Sequence, residues 1–474
     1  MPLEVKASFW FLMSAMFQRG VSVISTPIFT RLMSATEYGE FSVFYSWYGI
    51  ITIFVTLNLF FGVFMRGLVK YEDDRKAFSS SMQGLTFLLT LAWFALYLPF
   101  SPFFNRLLSL TTEQMICMFI AIAANSAYSF WAAERRVDLV YVPIVVLSVS
   151  TAIAIPVLQI VLIYVMDDSV MARIYGMTIV SGLCYFPLFF KQMADGRKFV
   201  VFSYWKYALM FNLPLLPHYL AQIVLNSADR LMINEMVGSS EAGIYSLAYS
   251  IAQIMTVFNT ALMQTLEPWL YKRIKAREID RVSKAAYPAF LLVTIVNTLL
   301  IAFAPEVVSL FAPSEYHDAI WVIPPVAMSV FFQFTYMFFA VFEFYYEKTH
   351  YITIATIIGA VLNIILNYAF IKLCGYYAAG YTTLFCYMLY AVFHYIFMRK
   401  LIRKHHPGET VYDSKILALM SLGFLGVGAL FLVSYICVAI RYCLIFAIAV
   451  ALFMKRDSIS RSVKSVLAAR RAEA

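Results

Sequence analysis

Charge is what this sequence has least of. Only 13% of its 474 residues are Asp, Glu, Lys or Arg, where soluble domains carry about a quarter. That scarcity excludes an ordinary soluble fold. Long polar segments are also missing: no stretch between apolar runs is large enough to form an extramembrane domain, which removes most enzymatic architectures. Asp167-Asp168 could suggest the acids of a membrane glycosyltransferase or polymerase, but its loop is too short to hold an acceptor sugar. No G-x-x-x-x-G-K-[ST] loop occurs, so the chain is not expected to hydrolyse ATP. The six cysteines (Cys117, Cys184, Cys374, Cys386, Cys437 and Cys443) show no ligand spacing. No metal site, cofactor or disulfide framework is expected; Cys437 and Cys443, flanking one turn, are the one pair a disulfide could join.

Apolar residues take up the space. The chain is 62% hydrophobic and 17% aromatic, with a mean hydropathy of +0.77. A spanning helix needs about 20 mostly apolar residues. Fourteen runs meet or approach that length: 8–30, 41–65, 81–100, 114–133, 141–165, 170–190, 207–231, 242–266, 285–304, 319–342, 351–371, 377–398, 415–436 and the shorter 441–454. The first is too long, and lacks the small-residue cleavage site, for a secretory signal. The expected fold is an all-α integral membrane protein of about fourteen transmembrane helices.

Lys and Arg give the orientation, since cytoplasmic loops retain them. With the N-terminus inside and the chain alternating, 29 of the 36 fall on the inner side. Six lie near outer ends (Arg31, Arg106, Arg173, Arg230, Lys372 and Arg441), and Arg19 lies inside a helix. Both termini are therefore expected in the cytoplasm. The net charge of +9 reflects this bias and contact with anionic membrane lipids, not a nucleic-acid footprint.

Polar residues inside the runs are few and ordered. In the first run Ser14, Gln18, Ser22 and Thr26 recur every four residues and form one stripe, with Arg19 beside it at mid-membrane. A charge there costs at least about 2.5–3.5 kcal/mol on insertion scales, which makes Arg19 a functional candidate. A helix-to-helix ion pair would need a carboxylate at similar depth, yet Glu134, Glu267 and Glu343 lie near inner ends. Arg19 is expected to line a polar cavity that meets an anion. The second run carries Thr52, Thr56 and Asn58, and Arg66 at its inner end is either a topology anchor or a ligand contact.

The seventh run places His218, Gln222, Asn226 and Asp229 within an arc of about 80° at 100° per residue, starting after Pro214 and Pro217. The eighth aligns Gln253, Thr256, Thr260, Gln264 and Glu267, and Glu267-Pro268 is expected to stop or bend it. Single polar residues in such helices are usually helix-to-helix contacts, but aligned rows point to a hydrated cavity. His218 and Asp229 could relay a proton. Arg31 and Asp229-Arg230 are expected at outer helix ends, as ion-pair caps or as a gate. Asn363 and Asn367 are expected to pack helices together.

The sequence also repeats. An offset of 204 sets Glu37, Gly39, Phe41 and Ser42 over Glu241, Gly243, Tyr245 and Ser246, and Ser14, Gln18 and Ser22 over His218, Gln222 and Asn226. Matching Arg31 to Arg230 instead requires 199. Either way two six-helix halves repeat in parallel. The expected division is an N-lobe over 1–206, a C-lobe over 207–404, and two further helices with a basic tail over 405–474.

Phe29-Thr-Arg-Leu-Met…Glu37-Tyr-Gly, Ala228-Asp-Arg-Leu-Met…Glu241-Ala-Gly-Ile-Tyr-Ser-Leu-Ala-Tyr and Asn363-Ile-Ile-Leu-Asn…Gly375…Ala379-Gly-Tyr-Thr-Thr-Leu resemble bacterial polysaccharide-unit flippases of the multidrug/oligosaccharidyl-lipid/polysaccharide (MOP) exporter superfamily. The resemblance spans the whole chain. It implies two pseudo-symmetric lobes around a central cavity, alternating access, and cationic residues that attract the pyrophosphate of an undecaprenyl-linked oligosaccharide; Arg19 fits that role. It further implies a bacterial cytoplasmic membrane and, as partners, the polymerase and chain-length regulator of the same pathway. The sugar would meet Gln18, Ser22, Asn58, Arg66, His218, Gln222, Asn226, Gln253, Thr256 and Thr260. An H+ or Na+ gradient would supply the energy. A multidrug or small-molecule exporter on the same fold is the alternative, but it calls for a mid-membrane carboxylate that the sequence does not show.

If the stripe lines water, cysteines introduced as His218→Cys, Gln222→Cys and Asn226→Cys react with a membrane-impermeant thiol reagent. Protection at all three would remove the hydrated-cavity reading.

Overall fold

The computed structural model describes residues 3–454, and every regular element among them is helical. The first helices are α1 (Leu3–Leu32), α2 (Ala35–Thr56), α3 (Val63–Lys70), α4 (Arg75–Tyr97), α5 (Ser101–Leu108), α6 (Thr112–Val137), α7 (Tyr141–Val165), α8 (Ser169–Gly196), α9 (Phe202–Asn212) and α10 (Leu216–Met236). The chain continues through α11 (Ser239–Lys275), α12 (Asp280–Ala302), α13 (Ala304–Phe311), α14 (Ile323–Tyr345), α15 (Thr349–Cys374), α16 (Ala378–His405), α17 (Ser414–Ser434) and α18 (Val438–Met454). Ten helical stretches are long and apolar enough to cross a membrane, and α18 adds a shorter apolar helix. This is a multi-pass membrane protein.

Two compact units divide the chain, one up to Asn234 and one from Glu235. The first packs α6 and α7 on α8, α4 on α6 and α8, and α1 on α7. The second repeats that internal scheme: α14 and α15 pack on α16, and α12 on α14. The repeat is visible in the connections as well. In each unit an eight-residue helix with proline in its first turn (Pro102 in α5, Pro305 in α13) follows the third apolar run. Proline suits that place because the first-turn N–H has no helical partner to lose.

The turn between the first two helices of each half resolves the offset. Helix α1 ends at Leu32 and α10 at Met236; α2 starts at Ala35 and α11 at Ser239, so both pairs differ by 204. The alignment through Arg31 and Arg230 is therefore set aside. In the first unit Ser34 caps α2, its Oγ accepting from the Glu37 N–H while the Glu37 carboxylate accepts from the Ser34 N–H at 2.8 Å. That reciprocal cap explains the glutamate three residues into the turn.

Two expectations are corrected. Helix α11 does not stop at Glu267-Pro268 but runs 37 residues to Lys275. Its length is about 55 Å at 1.5 Å per residue, well beyond a hydrocarbon core of about 30 Å. Asp229 and Arg230 do not end their helix, because α10 continues to Met236.

The second unit is built around α14, whose Phe331, Phe334, Phe338 and Phe342 are fully buried. Asn363 and Asn367 do pack helices: Asn363 Nδ2 donates to Thr383 Oγ1 of α16 at 3.3 Å, and Asn367 Nδ2 to Asn363 Oδ1 at 3.2 Å. The last two helices belong to this unit. Helix α17 packs on α12 and α14. Arg441 of α18 is buried and pairs with Glu306 of α13, which also accepts from Tyr442 Oη at 2.7 Å. Arg441→Ala leaves that carboxylate without its charge partner and is expected to cost about 1–3 kcal/mol, read as a lower unfolding temperature of the purified protein in detergent. An unchanged temperature would show that the terminal hairpin is not held there.

Candidate functional site

The run expected as the second spanning helix is not one helix. Helix α2 ends at Thr56, the chain unwinds over 57–62, and α3 starts at Val63. Three residues in the break hold positive φ: Leu57 at 50°, Asn58 at 52° and Gly62 at 40°. For a leucine this left-handed conformation is costly, and it persists only where the surroundings enforce it. Unwinding strips carbonyls of their helical donors. Inside a membrane such groups cost several kcal/mol each unless protein or cavity water satisfies them.

The donor comes from the seventh run. Asn212, fully buried at the end of α9, gives its Nδ2 hydrogens to the Leu57 carbonyl at 2.6 Å and the Asn58 carbonyl at 3.0 Å. The same run tightens there into a 3-10 turn, Leu213–Leu215, around Pro214. Mid-helix 3-10 turns mark hinges. Past the turn, α10 leans on α2, with the Ile223 side chain 3.2 Å from the point a Cβ on Gly49 would occupy. Tyr219 meets the Phe61 ring edge-on at 6.1 Å. Two interrupted helices thus cross at their interruptions within the first unit, joined by one amide. Interrupted helices are the usual source of ion and substrate sites at membrane depth.

Several expected residues gather here. Asn58 lies in the break, and Arg66 on α3 is exposed with its guanidinium 5.5 Å from the Phe211 ring. One turn on, Lys70 lies 4.2 Å from the Tyr207 ring, so α3 lays two cations over two rings of α9. His218 follows the hinge half-buried, and its Nδ1 is buried without a hydrogen-bond partner. Gln222 is exposed, and its carbonyl accepts from Asn226 Nδ2 at 2.8 Å. Arg230 Nη1 donates to the Asn226 carbonyl at 3.1 Å, and Asp229 is buried. His218 and Asp229 are eleven residues apart, or about 16 Å along the helix axis, too far for a direct proton hand-over.

Helix α1 presents Gln18, Arg19 and Ser22 exposed, midway along its length. Ser14 is buried and bonds Ser148 of α7 at 2.8 Å, and Gln18 Nε2 turns back to the Ser14 carbonyl at 3.2 Å. The stripe therefore splits: its first residue packs helices and the next ones face outward. Among the described residues no hydrogen bond or ion pair engages the Arg19 guanidinium. Arg31, in the last turn of α1, donates from Nη1 to the Pro27 carbonyl at 2.7 Å. Gln253, Thr256 and Thr260 lie on α11 in the second unit; Thr256 Oγ1 donates to the Gln253 carbonyl at 2.7 Å, and Thr260 is exposed.

Three arrangements escaped the sequence. Asn212 is a lone polar residue with no periodic partner. Arg173 in α8 is buried, with its guanidinium 3.6 Å from the Phe41 ring, 4.1 Å from Phe29 and 5.4 Å from Tyr38. That aromatic cage binds α8 to the turn between α1 and α2, and the sequence placed Arg173 only near an outer helix end. In the second unit Glu343 of α14 and His394 of α16 are fully buried and meet at 2.8 Å between Oε1 and Nδ1. Glu343 Oε2 and His394 Nε2 are buried and have no hydrogen-bond partner. Partners 51 residues apart on separate helices leave no periodic trace.

Asn212→Leu takes the amide donor from the Leu57 carbonyl, while the Asn58 carbonyl keeps the Phe61 N–H at 3.1 Å, and is expected to destabilise by about 1–3 kcal/mol. Asn212→Asp should do similar harm, since a carboxylate would face two carbonyl oxygens. Wild-type unfolding temperatures in both variants would show that the break does not depend on this amide.

Known proteins share this architecture. The structure superposes on a lipid II flippase, MurJ, in an inward closed conformation, with a TM-score of 0.69 at 15% identity over 96% of this chain and 100% of that one. It also matches an inward-facing multidrug resistance MATE transporter of the MOP superfamily, with a TM-score of 0.60 at 13% identity over 83% of this chain and 96% of that one. At such identities the likeness shows the fold alone, an all-helical arrangement like that of MurJ and the MATE transporter. In sequence, an uncharacterized membrane protein of Haemophilus influenzae is 21% identical over 76% of this chain and 88% of its own length. The Lsg locus putative protein 1 of the same organism is 23% identical over 42% of this chain, which spans about half of that protein (52%). The MatE family model matches residues 214–369. The model described as polysaccharide biosynthesis protein matches residues 5–273, more than half of the sequence, and the chain belongs to that family.

Proposed function

We propose that this protein carries an undecaprenyl-pyrophosphate-linked oligosaccharide repeat unit from the inner to the outer leaflet of a bacterial cytoplasmic membrane, by alternating access, for surface polysaccharide assembly. Both termini would face the cytoplasm, in keeping with the distribution of Lys and Arg. The observation that carries the reading is Arg19: a guanidinium midway along the 30-residue α1, exposed, with no ion pair among the described residues. Such a group is held at a cost of a few kcal/mol unless an anion meets it, and the low dielectric strengthens that attraction. A pyrophosphate supplies the anion. The hydroxyl-rich sugar would meet Gln18, Ser22, Asn58, His218, Gln222, Asn226, Gln253, Thr256 and Thr260, with Arg66 near the entry side, while the polyprenyl chain stays in lipid. Arg31, Asp229 and Arg230 would serve the turn between helices, as caps or as a gate. The polymerase and chain-length regulator of the pathway would receive the cargo.

An H+ or Na+ gradient is the proposed driving force. Glu343 with His394 is the candidate site for the coupling ion, since each keeps one buried atom without a hydrogen-bond partner. A multidrug or small-molecule exporter is the second reading. The MatE match over 214–369 and this buried carboxylate favour it; the unpaired cation of α1 weighs against a cationic drug.

Arg19→Ala is expected to abolish surface polymer in a strain that relies on this protein, with protein level unchanged on a membrane immunoblot. Arg19→Lys should keep part of the activity if charge is what matters, and none if the planar guanidinium must grip the pyrophosphate with paired bonds. Normal display in Arg19→Ala would remove Arg19 from the mechanism.

A further inference from the structure

The basic end of α16 holds a second site, separate from the polar stripes. A cavity of about 480 Å³ opens between this helix and the segment that leads into α17. Four charged side chains line it: Arg399 and Arg403 on α16, and Glu409 and Asp413 on the segment. The arginines form no ion pair among the described residues, although Arg399 lies 5.9 Å from the centre of the Tyr395 ring. The walls are fixed. Tyr395 Oη bonds Ser414 Oγ at 2.6 Å, tying α16 to the first residue of α17. The Asp413 N–H donates to Tyr287 Oη at 2.7 Å, and Asp413 Oδ1 accepts from the Lys415 N–H at 2.7 Å as the cap of α17. Glu409 Oε1 lies 3.8 Å from His406 Nδ1.

The surface leading to the cavity is apolar. Val392 (50% exposed) and Ile396 (52%) stand on the same face of α16 as Arg399 and Arg403, at spacings of three and four residues. On α17, Ile416 and Leu419 are exposed just past the cavity. Exposed apolar residues on spanning helices face acyl chains, so a lipid lying along this strip would bring its headgroup to the four charges. The charges select among headgroups. Two guanidiniums suit a phosphodiester, which they can hold with paired hydrogen bonds. Two carboxylates on the facing wall suit a cation a short distance from that phosphate, and they repel a second anion. A phosphate with an attached primary ammonium satisfies both walls; a purely anionic headgroup satisfies one.

We propose that this cavity binds a phosphatidylethanolamine-type phospholipid, the phosphate on Arg399 and Arg403, the ammonium on Glu409 and Asp413, and the acyl chains along Val392 and Ile396. The test uses the full-length protein in nanodiscs of equal phosphatidylethanolamine and phosphatidylglycerol, followed by native mass spectrometry of the lipids retained after release. The wild type should retain phosphatidylethanolamine over phosphatidylglycerol by roughly threefold to tenfold, the scale of one or two solvent-screened ion pairs. Glu409→Gln with Asp413→Asn should erase that preference and still retain lipid; asparagine also caps helices, so α17 keeps its start. Arg399→Ala with Arg403→Ala should lose retained lipid of both kinds. Equal retention of the two lipids by the wild type, or more phosphatidylglycerol, would overturn the proposal. So would an unchanged preference in the single exposed variant Glu409→Gln and in the double carboxylate variant.

Discussion

One side-chain amide joins two interrupted helices of the first unit. The constraint behind it is general: backbone carbonyls freed inside a membrane must find donors, because lipid offers none. At 57–62 the chain unwinds and turns through three positive φ angles. Asn212 Nδ2 donates to the Leu57 carbonyl and to the Asn58 carbonyl, which also accepts from the Phe61 N–H at 3.1 Å. Because Asn212 ends α9 just before the 3-10 turn at Leu213–Leu215, the bend of one helix and the break of another share a pivot. The cations of α3 over the rings of α9, the contact of Phe61 with Tyr219 and the direction of the His218 stripe follow from that crossing.

Two arginines of the first unit show how similar residues diverge. Arg173 is enclosed by Phe29, Tyr38 and Phe41 and lies 3.8 Å from the Met33 sulfur. That enclosure joins α8 to the first turn. Arg19 has no such enclosure.

Much of this was legible in the sequence, because the membrane imposes strong periodic rules. Most apolar runs mapped onto helices and Asn363 with Asn367 proved to be packing residues, whereas the stripe of α1 split between a buried Ser14 and exposed Gln18 and Ser22. The repeat was visible, but its register became clear only from the matched helix ends at Leu32 and Met236. What stayed hidden depends on contacts between distant positions. Nothing near Asn212 says that it serves carbonyls more than 150 residues earlier. Glu343 and His394 come together only after α14 and α16 pack. At Pro268 a proline after a glutamate suggested a stop or a bend, and α11 carries it without ending, since neighbouring helices can support one lost bond.

The central claim is that this fold moves a lipid-linked oligosaccharide. The most direct measurement is transbilayer movement of a fluorescent undecaprenyl-pyrophosphate oligosaccharide in proteoliposomes holding the purified protein, followed by quenching of the label on one face. The account predicts movement well above protein-free vesicles, accelerated by an imposed H+ or Na+ gradient. Movement no faster than in empty vesicles, together with gradient-driven export of a small organic cation from the same proteoliposomes, would contradict it.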